Sequence, residues 1–149
     1  MKIALKYGLL ITAGVILWVV VAHLLEPDRT APVHTVGAAV FFNLLQITGL
    51  SLGIKERQRE VGILSFKNGA KTGVSIAFVY GVSACLFFLI QLMLFGPRIL
   101  ARQSPDESTL IATSKAFAAL FIGALLLGLV YSTIISFAVV RMQRGRRYD

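Results

Sequence analysis

The chain has 149 residues, 56% of them hydrophobic and only 15% charged, with a mean hydropathy of +0.78. A soluble domain carries about 25% charged residues to keep its surface wet, so soluble enzymes, nucleic-acid-binding domains and disordered chains are excluded at the outset. The 15 Lys and Arg against 7 Asp and Glu leave a net charge of +8. In so apolar a chain this excess predicts topology and contact with anionic head groups, not nucleic-acid binding.

Four segments meet the roughly 20 apolar residues needed to cross about 30 Å of hydrocarbon. Residues 7–25 are free of charge and end at Glu26-Pro27-Asp28; residues 33–54, 73–95 and 116–140 are free of Asp, Glu, Lys and Arg. Backbone amides must be paired in lipid, and runs such as residues 15–21 lack the alternation of a barrel strand, so each segment predicts a helix. The expected fold is all-α, a single integral membrane four-helix bundle over residues 1–149. Lys2, Lys6 and Val20-Val21-Ala22 have the outline of a secretory leader. The apolar run is longer than such leaders carry, so the first span is expected to be retained.

Eleven of the 15 basic residues fall in the N-terminus, in residues 55–71 and in the C-terminal tail, whereas Arg29, Arg98, Arg102 and Lys115 lie in the other two connections. Basic loops stay in the cytoplasm, which predicts both termini inside. Residues 55–72 then form a cytoplasmic linker. Its start, Lys55-Glu56-Arg57-Gln58-Arg59-Glu60, reads as a solvated extension of the second helix, with Glu56 and Glu60 beside Arg57 and Arg59. Gly62 should break that helix and Ser65 should cap the next, with Leu64 and Phe66 dipping into the interface and Lys67 and Lys71 reaching head groups. On the far side, Ser104-Pro105-Asp106-Glu107 combines an N-cap, a first-turn proline and a capping-box glutamate. The fourth helix is therefore expected to begin near Pro105, with an external extension over about residues 105–115.

Chemistry inside a bilayer needs particular side chains. Proton coupling uses intramembrane ionisable groups, and the four spans hold no Asp, Glu, Lys or Arg, with His23 and His34 both near the outer edge. Haem between helices needs paired histidines, and only His23 and His34 exist; thiol oxidation needs a cysteine pair, and Cys85 is the sole cysteine. No catalytic residue, metal site or cofactor is expected, and the chain does not read as an enzyme.

Packing features remain. Gly69, Gly73, Ala77, Gly81 and Cys85 recur every four residues in the third helix, Gly49 and Gly53 form a G-x-x-x-G step in the second, and Ala124, Gly128, Ser132 and Ser136 form a stripe in the fourth. Such spacing lets helix backbones approach closely, within one chain or between chains. Asn43 and Gln46 share one face of the second helix, and Gln91 lies near the small-residue face of the third. They are candidates either for interhelical hydrogen bonds or for a polar membrane site.

Four spans in a short chain, the stretch Val61-Gly62-Ile63-Leu64-Ser65-Phe66-Lys67-Asn68-Gly69-Ala70-Lys71-Thr72-Gly73 and the Gly96-Pro97 exit resemble the bacterial membrane family catalogued as domain of unknown function 4199. The resemblance implies a bacterial inner-membrane protein and carries over no catalytic residue. The expected function is that of a non-enzymatic accessory or scaffold subunit acting through helix contacts with a membrane-protein partner. The alternative is a homo-oligomeric transporter or channel for a small solute. Expected surroundings are a lipid bilayer with anionic head groups at the cytoplasmic face.

Overall fold

A computed structural model describes residues 1–25, 32–95 and 109–145. They form four helices, α1 (Lys2–Leu25), α2 (Pro32–Val61), α3 (Phe66–Phe95) and α4 (Thr109–Gly145). At 1.5 Å per residue these are about 36, 45, 45 and 55 Å long. All four are long and apolar enough to cross a membrane. The expected exit at Gly96-Pro97 and the expected cap at Ser104–Glu107 fall outside the described residues, and α4 is helical from Thr109 onward.

Local chemistry sets the break between α2 and α3. Gly62 adopts a φ of 70°, a left-handed conformation in which a side chain would be strained. Three residues on, the Ser65 hydroxyl accepts a hydrogen bond from the Asn68 N–H at 3.3 Å, and the Gly69 N–H bonds the Ser65 carbonyl at 3.0 Å. Leu64 departs from expectation. It does not dip into an interface but is 1% exposed, packed with Ile54 and Val139. The tight turn at Gly62 swings it under the bundle, where it fills the end between α2 and α4. Phe66 stays largely exposed.

Successive helices run antiparallel, and α1 and α3 run parallel. Tyr7 meets Glu56, Gly53 meets Ile76 and Gly69 meets Ser136, whereas Thr12 meets Ser83. The N-terminus of α1, the α2–α3 turn and the C-terminus of α4 therefore share one end, here termed the basic end. Among the described residues α2 and α3 each pack on all three other helices, while α1 and α4 do not adjoin. The cross-section is a rhombus with α2 and α3 at its waist.

The core lies in the basic half. Ile11, Leu50, Ile54, Leu64 and Ile76 are its largest fully buried apolar side chains, joined by Ile3 and Tyr7. Toward the opposite end, aromatic pairs take over. Trp18 stacks on Phe41 at 4.4 Å between α1 and α2, and Phe88 meets Phe117 edge-on at 5.3 Å between α3 and α4. Rings space helices more widely than glycines do, so the bundle is tightest where its charges gather.

Leu64→Ala should leave a cavity at the basic end and lower the thermal unfolding midpoint in detergent by about 5–10 °C. Ile63→Ala, at a neighbour that is 67% exposed, should shift it by less than about 2 °C. Equal shifts would show that Leu64 does not close the core.

Candidate functional site

The small-residue stripes of α3 and α4 meet each other inside one chain. Gly69 faces Ser136, Gly73 faces Ser132, Ala77 faces Gly128, and Gly81 faces Ala124 and Phe121. The steps of four run upward along α3 and downward along α4, as two antiparallel helices with matched i, i+4 rows require. A Cβ on Gly73 would overlap that of Ser132, and one on Gly128 would overlap that of Ala77. At Gly69 it would stand 2.6 Å from the Ser136 Oγ, and at Gly81 3.2 Å from the Phe121 ring. Ser132 and Ser136 are fully buried in this seam. The Ser132 hydroxyl bonds the Leu129 carbonyl at 3.1 Å, whereas the Ser136 Oγ has no hydrogen-bond partner among the described residues.

The G-x-x-x-G step of α2 serves other helices. Gly49 admits Ile11, whose Cγ1 would lie 2.5 Å from an added Cβ, and Gly53 admits Ile76 and the Tyr7 ring. Sequence reasoning missed the matching features of α1. Gly8 lies under Val79 and Gly14 under Leu45. Four residues after Gly8, the buried Thr12 shares a 2.7 Å hydroxyl contact with Ser83 of α3. The Gly8-x-x-x-Thr12 spacing is the same small-residue signal in a weaker form.

Asn43 and Gln46 both cross to α4. The Gln46 amide is 3% exposed and donates to the Ala124 carbonyl at 3.0 Å. The Tyr131 hydroxyl donates to the Asn43 Oδ1 at 2.6 Å, and the Asn43 amide donates to the Ala39 carbonyl at 2.7 Å. Side chains lean toward the N-terminus of their own helix, so Gln46 and Tyr131 lean the same way across the α2–α4 boundary. Tyr131 was not singled out from sequence, because a single aromatic hydroxyl in a span carries no periodic signal. Gln91 does not join this pair. Gln46 sits level with Ala124 and hence with Gly81, and Gln91 lies ten residues beyond Gly81, about 15 Å further along α3.

The basic end carries its own polar network. Glu56 is expected beside Arg57 and Arg59, but its Oε2 instead accepts from the Lys6 ammonium at 2.7 Å and the Tyr7 hydroxyl at 2.5 Å. Lys6 and Tyr7 are presented together on the first turns of α1, while Arg57 is taken by Glu60. Arg57 pairs with Glu60 at 2.8 Å. Both ion pairs are substantially exposed, so they add little stability and act chiefly in fixing which helix ends meet.

Elsewhere the Cys85 Sγ lies 4.0 Å from the Phe117 carbonyl. Among the described residues no three His, Cys, Asp or Glu side chains gather into a metal site. The side chains of His23 and His34 lie outside the described residues. No protein-family model, curated protein or solved structure matches the chain.

Alanine at Gly73 or Gly128 should force α3 and α4 apart and destabilise the detergent-solubilised protein by about 1–3 kcal/mol. Gly123→Ala, where an added Cβ meets nothing within 4 Å, should leave stability unchanged or raise it. Thermal unfolding of the three variants checks this, and equal tolerance at all three positions would show that the seam does not set the spacing of α3 and α4.

Proposed function

We propose that this chain is a multi-pass protein of the bacterial inner membrane, related to the domain of unknown function 4199 family. In this reading it works as a non-enzymatic accessory or scaffold subunit through helix contacts. The carrying observation is that the polar groups at mid-span are spent on packing. Asn43, Gln46, Thr12 and Ser83 are each bonded to another helix or to their own backbone. A conduction or substrate path needs polar atoms turned toward open space.

The same reading assigns partner contact to the outer faces, since the small-residue stripes are occupied within the chain. Helix α4 has most surface to offer. Only 17% of its most apolar window is buried, against 28% for each of the other helices. Leu126, Ile134 and Phe137 are all more than half exposed along it. A smooth apolar face of this kind serves lipid and a partner helix equally, and a partner adds shape complementarity and dispersion contacts.

Gentle extraction of the tagged chain followed by native mass spectrometry tests the role. The expected result is a stoichiometric second protein whose co-purification is lost in the Leu126→Ala/Ile134→Ala/Phe137→Ala variant while the chain itself stays folded. A homo-oligomer without a partner would replace this reading with the transporter or channel. A monomer alone would overturn both.

The orientation within this proposal places both termini in the cytoplasm, supported by the clustering of basic residues at one end of the bundle. Green fluorescent protein fused after the C-terminal tail should fluoresce, and alkaline phosphatase fused at the same point should be inactive. The reverse pattern would invert the topology.

A further inference from the structure

A cleft of about 490 Å³ opens at the basic end between the last turns of α2 and α4, lined by Lys55, Gln58, Arg59, Val139, Met142 and Gln143. Gly62 also borders it, and a side chain there would meet nothing within 4 Å, so the turn leaves that edge open. The polar side chains of the lining are two cations, Lys55 and Arg59, and two amides, Gln58 and Gln143. Lys55 and Arg59 stand one helical turn apart on the same face of α2. The carboxylates nearest in sequence are engaged elsewhere, Glu56 by Lys6 and Tyr7 and Glu60 by Arg57. Glu56 still attracts Arg59 at longer range, but neither Lys55 nor Arg59 has an ion-pair partner among the described residues. The Gln143 Nε2 is buried and has no acceptor among them either.

The remaining walls are apolar. Val139 is buried against Ile54 and Leu64, while Met142 is 69% exposed and leads from the cleft to the outer surface of α4. The cleft also lies where the charge-free runs end, at Ile54 in α2 and Val140 in α4, which is the depth of the head groups for a bundle that spans a bilayer. A ligand suited to it carries a phosphate for two cations and an amide, and a hydrocarbon chain for the methionine wall. Basic pockets between helices at this depth suit anionic lipid head groups.

We propose that this cleft is a binding site for one anionic phospholipid, with Lys55 and Arg59 holding the phosphate, the Gln143 amide donating a hydrogen bond to it, and an acyl chain passing over Met142. The site rests on the membrane setting of the bundle and not on the accessory role, so the two stand or fall separately: partner capture reads protein, and this site reads retained lipid.

The full chain is reconstituted in nanodiscs of equal parts phosphatidylglycerol and phosphatidylcholine, released into the mass spectrometer and scored for lipid that stays bound. One phosphatidylglycerol should be retained in preference to phosphatidylcholine. Lys55→Gln/Arg59→Gln should lower its retention about 30-fold, each cation contributing about fivefold. Lys67→Gln, at an exposed lysine outside the cleft, should leave retention unchanged. Gln143→Leu keeps both cations and should lower retention about tenfold; it decides the matter alone if the double variant does not fold. Equal retention of the two lipids, or unchanged retention in Gln143→Leu or in a folded double variant, would overturn the site. Inorganic phosphate is the soluble competitor. If it displaces the lipid and binds with the same dependence on Lys55 and Arg59, the ligand is a free anion and the lipid assignment fails.

Discussion

The bundle depends on how closely α3 and α4 approach at Gly73–Ser132 and Ala77–Gly128. Between helices in lipid there is no hydrophobic drive, because hydrocarbon tails are as apolar as leucine; association comes from dispersion contacts and hydrogen bonds. Dispersion falls off steeply with distance, so the absence of a Cβ at two crossing points sets how many atoms of the neighbouring turns come into contact. The other helices are built on this pair. Helix α1 leans on another face of α3 through Gly8–Val79 and Thr12–Ser83, and α2 reaches α4 through Gln46 and a backbone carbonyl at Ala124. A wider seam would move that carbonyl and weaken α2 along with α4.

Close approach has a local cost. The Ser136 hydroxyl sits in the seam beside Gly69 with no partner among the described residues, and an unmade hydrogen bond in a dry interior is unfavourable by about 1–3 kcal/mol. Its neighbour Ser132 avoids this by turning back to the Leu129 carbonyl. Serine remains small enough to keep the helices together, and the contacts of the whole stripe offset one unsatisfied oxygen. At the basic end the logic changes: water is near, and hydrogen-bonded ion pairs such as Lys6–Glu56 determine which helix ends meet, not how strongly they hold.

Much of this was legible in the sequence. The four helices follow from charge-free length, because lipid allows few other solutions for an apolar backbone. The break at Gly62 and the cap at Ser65 follow from conformational freedom and hydroxyl chemistry within a few residues. The stripes at Gly69, Gly73, Ala77 and Gly81, and at Ala124 and Gly128, were visible as periodicity, but their pairing in one chain needed coordinates, since spacing names a face and not its partner. Contacts between single side chains were illegible for the same reason. Leu64 under the bundle, Tyr131 on Asn43 and Glu56 on Lys6 all depend on which turns become level with one another. Helix register sets that, and no local pattern encodes it. Asn43 and Gln46 both meet α4, whereas Gln91 lies about three turns away along α3.

The placement of the fastenings bears on how the chain is made. Glu56 joins α2 to Lys6 and Tyr7 of α1, and the small-residue seam joins α4 to α3. The first and second helices, and the third and fourth, thus each carry a fastening that needs nothing synthesised later. The first hairpin can close when residue 56 has left the ribosome, before α3 has emerged, and the second can close on itself once α4 has emerged. Thr12–Ser83 and Gln46–Ala124 then join two preformed halves. Assembly hairpin by hairpin is therefore open to this chain because of where it keeps its polar and its smallest side chains.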